Sequence, residues 1–238
     1  VKTVVISQPM FFPWVGLFEQ LCLADVFVHY DDVQYSKGSF TNRVQAKTPQ
    51  GIRWLTVPLH GLKLGQQIRE VAIDPATDWK AAHIGLLTRS YAGAPHLSEM
   101  LDLVRGVYAV DHPSVGALSA ASMEAVCRHF GFPRPAEIHW SSHLGIGGSS
   151  SQRVLDIVRH FGGTRYVTGL GARNYLDHEL FERHGIAVEY MDYRKLPYPQ
   201  LHGEFTPYVS VLDLIANCGK AGAAVFASGT IPWRQMVP

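Results

Sequence analysis

The strongest constraint on what this chain can fold into lies at its start. "TVVIS" (residues 3–7) is a β-branched run with no polar alternation, the pattern of a strand covered on both faces. Trp14, Leu17, Phe18, Leu21 and Cys22 then recur at helical spacing up to Asp25, and "VFVHYDDV" (26–33) is a second β-rich run. Strand, helix, strand over so short a stretch reads most simply as a parallel βαβ unit. Ligands in parallel sheets bind beyond the carboxyl ends of the strands. The loop from Gln8 to Trp14 and the strand end from Asp31 to Tyr35 are therefore expected to share one crevice.

The rest of the chain agrees with an α/β class. "NRVQAKTPQGIRWLTVPL" (42–59) reads as a hairpin turning at "TPQG", and residues 67–73 fit a further strand. From Trp79 to His129 the pattern is helical, with Ile84, Leu87, Leu97, Met100, Leu101, Leu103 and Val104 in apolar rows, and with a helix from Pro113-Ser114 to Arg128 ended by the Gly-Phe-Pro-Arg-Pro stretch at 131–135. Strands are expected at "EIHWSS" (137–142), "RYVTG" (165–169) and "IAVEYMDY" (186–193, read as the last), with helices over 151–162, from Asp177 to Gly185, and over 209–219. The expected architecture is a single α/β domain over 1–238, a parallel, Rossmann-like sheet core with a helical insertion at 79–130.

Composition narrows the class of function. The chain has 238 residues, 47% hydrophobic and 17% charged, with a formal charge of +1 and no basic run of five or more. That profile argues against a nucleic-acid footprint. Three widely spaced cysteines (Cys22, Cys127, Cys218) fit a reducing compartment better than a disulfide framework. No stretch is long enough for a membrane span, and residues 3–6 are too short for a signal core. A cytoplasmic enzyme or small-molecule binding protein is the expectation.

Candidate chemistry sits at strand ends. Asp31 and Asp32 offer a general base, ligands for a hard metal, or a polar strand-end turn; residues adjacent on a strand face opposite ways, so one of the two enters the crevice. Tyr35, Asn42 and Arg43 follow, and an arginine beside aromatic residues can fork onto a phosphate or carboxylate, or bridge to Asp31 or Asp32. Phe12 and Trp14 offer stacking walls beside Gln8. "TGLGARNYL" opens at the same sheet edge, with Gly169 and Gly171 allowing close backbone approach, Arg173 and Asn174 for polar recognition, and Tyr175 as a wall, or else forming a tight turn. The proline-stiffened "YPQLHGEFTPY" gathers Tyr198, Gln200 and His202; His202 is the candidate base because imidazole titrates near neutrality, against a role as a loop brace. "GGSSSQR" matches neither a P-loop nor G-x-G-x-x-G, although it can cap a helix and favour an anion. No HExxH or cysteine pair indicates a metal, and "HELFERH" reads as a solvated helix. A nucleotidyl-transferase reading needs a His-x-Gly-His pair; aligned on Gly16, Trp14 and Leu17 stand there instead.

"QPMFFPWVGLFE", "ADVFVHYDDVQYSKGSFTNR", "WLTVPL", "TGLGARNYLDHELFERHGIAVEYMDY" and "YPQLHGEFTPYVSVLDLIANCG" together resemble the WbqC-like protein family. Members lie among genes for bacterial O-antigen and other surface polysaccharides. The resemblance implies carbohydrate biosynthesis, with acyl or glycyl-type aminoacyl transfer onto an activated amino sugar. The expected partners are a nucleotide-sugar and an activated acyl donor, and no cofactor is legible. Two other readings stay open: a non-catalytic carbohydrate- or peptide-binding component of a biosynthetic complex, and an amide hydrolase or lyase using Asp31 or Asp32.

Overall fold

The structure, a computed structural model, describes residues 1–132 and 137–236. Its centre is a six-stranded sheet in the order β10-β9-β8-β1-β2-β7. β1 (Thr3–Ser7) pairs in parallel with β2 (Val26–His29) on one side and β8 (Arg165–Thr168) on the other; β7 (Glu137–Trp140) extends the first side and β9 (Ala187–Met191) the second. Helix α1 (Val15–Cys22) makes the β1-to-β2 crossover. The opening βαβ unit thus forms as its pattern predicts, although β2 ends at His29.

The sheet is not wholly parallel. β10 (Thr230–Pro232) runs antiparallel to β9 at the outer edge, so "IAVEYMDY" is not the last strand. Proline lacks an N–H to donate, and an edge strand is where a sheet accepts one. β10 is short and has little apolar pattern, which explains why periodicity passes over it.

Alternation along the strands feeds two cores. Val4, Ile6, Val26 and Val28 face one side, against Val154, Leu155, Ile157 and Val158 of α5 (Ser150–His160) and Phe181 of α6 (His178–Arg183). Val5, Phe27 and Val167 face the other, against α1 and a helical layer of α2 (Trp79–Ser90), α3 (Leu97–Tyr108), α4 (Val115–Phe130) and α7 (Val211–Cys218). α3 packs against α2, α4 and α7. Asp78, Ser114, Asp177 and Ser210 cap the starts of α2, α4, α6 and α7 by accepting backbone N–H bonds. Gly131 ends α4 in the left-handed conformation; Pro133 to Pro135 of the expected stop signal lie outside the described residues.

The hairpin forms as expected from β3 (Arg43–Thr48) and β4 (Gly51–Thr56), with Thr48 opposite Gly51. β5 (Leu59–His60) pairs with β6 (Ala72–Ile73), which is what remains of the strand expected over 67–73. Residues Ile68–Glu70 form a short 3-10 turn instead.

Candidate functional site

From β1 the sheet grows in both directions, towards β2 and β7 on one side and towards β8 and β9 on the other. Loops leaving the carboxyl ends of β1 and β8 diverge there, and divergence opens a crevice. A cavity of about 600 Å³ occupies this position, within the usual range for a small-molecule site. Gln8, Met10 and Trp14 line it from the first loop, Tyr30 and Val33 from beyond β2, and residues 169–172 with Tyr175 from beyond β8.

Segments that the sequence places at one edge are thus brought together, but residues inside them separate. Phe12 is fully buried at φ +38°; its N–H donates to Ser122 Oγ at 2.9 Å and its carbonyl accepts from Ser210 Oγ at 2.7 Å. It packs edge-on to Phe11 at 5.0 Å, so it belongs to the core and forms no wall of the cavity. Trp14, two residues on, lines the cavity beside Phe40 at 5.2 Å. Gly169 and Gly171 act by omission: a Cβ at either would meet nothing within 4 Å, and neither has positive φ. Both line the cavity; the turn itself does not demand glycine, and the backbone there is open to the cavity.

Asp31 and Asp32 are committed elsewhere. Asp31, 3% exposed, accepts the Ser142 N–H at 3.0 Å, the Ser142 hydroxyl at 2.8 Å and the Ser141 hydroxyl. Asp32 accepts from Ser141 and from the Arg153 guanidinium. Burial alone would raise the Asp32 carboxyl, but the bonds from Arg153 and Ser141 outweigh it and hold it below its ordinary value. The pair ties the end of β2 to β7 and α5, which is the polar strand-end role, and neither carboxylate lines the cavity.

Tyr35 donates its O–H to Asn42 Oδ1 at 2.7 Å, and Asn42 Nδ2 donates to the Val57 carbonyl at 2.9 Å; both are buried braces of the hairpin. Arg43 directs Nε and Nη2 to the Gly38 carbonyl, at 3.1 and 2.6 Å, and stacks on Trp54 rather than bridging to Asp31 or Asp32. Arg173 lines a separate cleft of about 350 Å³ with His178 and Trp233, and Asn174 is exposed. His178 stacks on Trp233 at 4.6 Å and meets the Tyr190 hydroxyl, while Phe181 is buried, so the helix of "HELFERH" is docked rather than simply solvated.

The proline-stiffened loop is pinned away from the cavity over most of its length. Lys47 Nζ donates to Gln200 Oε1 at 3.0 Å and to the Gly203 and Glu204 carbonyls. Tyr198 is buried beside Asp213, which also accepts from Tyr91 at 2.9 Å and whose carboxyl burial pushes up to about 6. His202 sits at φ +65° with Nε2 donating to the Ser90 carbonyl at 2.6 Å. His202, Asp31 and Asp32 are therefore not brought together around the cavity.

The residue that sequence reasoning passed over is Lys195. Met191, Tyr193 and Lys195 all line the cavity, while Asp192 and Arg194 pair with each other at 3.7 Å. That is period-two alternation carried beyond the end of β9, and "MDYRK" displays it in the sequence. Lys195 is held at φ +55° with Nζ 5.2 Å from the Tyr208 ring centre. Burial raises Tyr30, Tyr175 and Tyr193 above the ordinary tyrosine value, so these three stay protonated; Tyr193 spends its O–H on the Pro207 carbonyl at 2.9 Å. The wall thus offers aromatic faces, O–H donors and one ammonium among the described lining residues. Among the described residues, no group of three or more His, Cys, Asp or Glu could hold a metal ion, and no helix is long and apolar enough to cross a membrane.

The fold and cavity define an α/β protein with a mostly parallel sheet and an open cavity at its carboxyl edge. The chain belongs to the WbqC-like protein family, whose model matches residues 8–225. It is 36% identical over 221 residues to the uncharacterized protein Rv1507c of Mycobacterium tuberculosis, covering 92% of this chain and 94% of that one. No solved structure matches it.

Proposed function

We propose that the chain is a biosynthetic transferase that moves an acyl or aminoacyl group onto the amino group of an activated sugar. The observation that carries this reading is the aromatic cavity with Lys195 at its edge. Trp14 and Tyr175 offer faces for a sugar ring or a base, and Lys195 offers its ammonium to a phosphate or carboxylate. The amine nitrogen attacks the acyl carbonyl carbon, the bond to the leaving group breaks, and the ammonium proton passes to the leaving group or to water. The protonated phenols of Tyr30 and Tyr175 suit this step, because they can donate to the oxygen on which charge develops. A neutral amine is its own nucleophile, so the step does not require His202 as a base. The bound state of Asp31 and Asp32 weighs against a hydrolase or lyase built on them.

The test is to incubate the protein with nucleotide-linked amino sugars and acyl or aminoacyl thioesters and to follow products by mass spectrometry. An acylated sugar that disappears with Lys195→Met supports transfer. Saturable sugar binding without product supports instead the carbohydrate-binding component of a biosynthetic complex, a reading favoured by the structural commitment of all three expected catalytic side chains.

A further inference from the structure

The outward face of the β3–β4 hairpin lies outside the cavity. Cross-strand register puts Gln45 opposite Trp54, Lys47 opposite Ile52 and Arg43 opposite Thr56, so these six side chains share one face. On the other face Val44, Ala46 and Leu55 are buried in the core, whereas Arg53 is exposed. Trp54 nevertheless remains 40% exposed and Ile52 42%.

A ladder of rings joins this face to the cavity. Trp14 and Phe40 both line the cavity; Phe40 lies 5.9 Å from Trp54, and the Arg43 guanidinium lies 4.2 Å over the Trp54 ring. Arg43 is held in place by its two bonds to Gly38, whose φ of +84° needs glycine and where a Cβ would come within 3.0 Å of Nη2. Among the described residues no carboxylate pairs with Arg43. At the far end of the face, Lys47 is tied to residues 200–204 of the loop that continues to Tyr208 at the cavity. The hairpin face is therefore continuous with the cavity through Phe40.

We propose that this face is a second subsite for the same substrate. The reactive sugar end of the substrate occupies the cavity; a base at its distal end packs on the exposed Trp54 and a phosphate between the two faces Arg43. The proposal rests on the transfer reading and makes the substrate bipartite, a sugar joined through phosphate to a further ring. The base supplies that ring, since its plane can lie on an indole and it is the end of the substrate remote from the sugar.

The experiment uses the whole chain labelled with 5-fluorotryptophan, its Trp14 and Trp54 fluorine resonances assigned from Trp14→Phe and Trp54→Phe. The probes are UDP-N-acetylglucosamine, UDP and N-acetylglucosamine 1-phosphate. With UDP-N-acetylglucosamine both resonances should shift saturably, and Trp54→Ala should raise half-saturation at Trp14 about tenfold, the scale of one lost stacking partner. A Trp54 shift with UDP alone assigns the base to the hairpin and supports the subsite. One with the sugar phosphate alone puts the pyranose there and overturns the proposed arrangement. If Trp14 responds while Trp54 stays still, the subsite is overturned and the cavity reading stands. If Trp54 responds while Trp14 stays still, the platform stands and the cavity reading falls, and silence at both overturns both.

Discussion

The Tyr193 ring lies directly on the Cα of Gly16: a β-carbon there would come within 2.9 Å of Tyr193 Cγ and within 2.9 Å of Trp14 Nε1. The first turn of α1 and the extension of β9 meet at this point, and both wall the cavity. Gly16→Ala should therefore displace Tyr193 or Trp14, costing about 1–3 kcal/mol as overpacking does. Chemical unfolding and sugar-probe titration of the variant check this. Unchanged stability together with unchanged binding would mean that the contact does not shape the cavity.

Lys195 supplies the cavity's ammonium from a left-handed backbone. Lys195→Met keeps most of the stem and removes the charge, so calorimetry with a phosphorylated sugar should show affinity falling about tenfold, the low end for a charged hydrogen bond. Lys195→Gly should lose the same affinity while relieving backbone strain of about 1 kcal/mol. Equal affinity in both variants and the parent would place the anion elsewhere.

His202 holds its loop to α2 through the Ser90 carbonyl. His202→Ala should lower stability by about 1 kcal/mol, the net worth of one hydrogen bond. Turnover per folded molecule, measured below the melting transition, should be unchanged. A large loss of turnover with normal binding would restore His202 as the base.

Glu19 and His29 give opposite pH dependences. Glu19 is fully buried, with Oε1 accepting from Ala227 at 3.1 Å and Oε2 unpartnered, and burial pushes its carboxyl up to about 7. The folded state holds that proton more tightly than the unfolded chain, so its stabilising contribution is complete below the ordinary carboxyl value and is lost as pH rises to about 7. Burial lowers His29 to about 4, so the unfolded chain binds more protons between about 4 and the ordinary imidazole value, and stability rises with pH over that window. The melting temperature of Glu19→Gln relative to the parent should therefore climb between pH 5 and 8, that range being set at about the shifted value. A constant difference would show that Glu19 is ionised throughout.

The sheet was legible from sequence because buried parallel strands carry a local signature. "TVVIS", "VFVH" and "RYVT" are apolar and β-branched whatever surrounds them, and helical spacing marked α1, α4 and α5 equally well. Since parallel strands end at one edge, the meeting of the Gln8 loop with residues 169–175 followed from topology before any side chain was placed. β10 escaped because a short edge strand containing proline has no such signature.

Which side chains reach the cavity was decided by tertiary structure. Phe12 and Trp14 are alike in sequence terms; the turn at Phe12, held by Ser122 and Ser210, sends one ring into the core and the other to the wall. Asp31 and Asp32 are acidic at a strand end in any reading, but their partners Ser141, Ser142 and Arg153 lie more than a hundred residues away. Local pattern determines which residues form strands and helices, because backbone hydrogen bonding and burial periodicity act over a few residues. The state of a carboxylate or the reach of a lysine depends on groups that only the folded chain brings within hydrogen-bond distance, and Lys195 joins the cavity wall only because the extension of β9 turns along it.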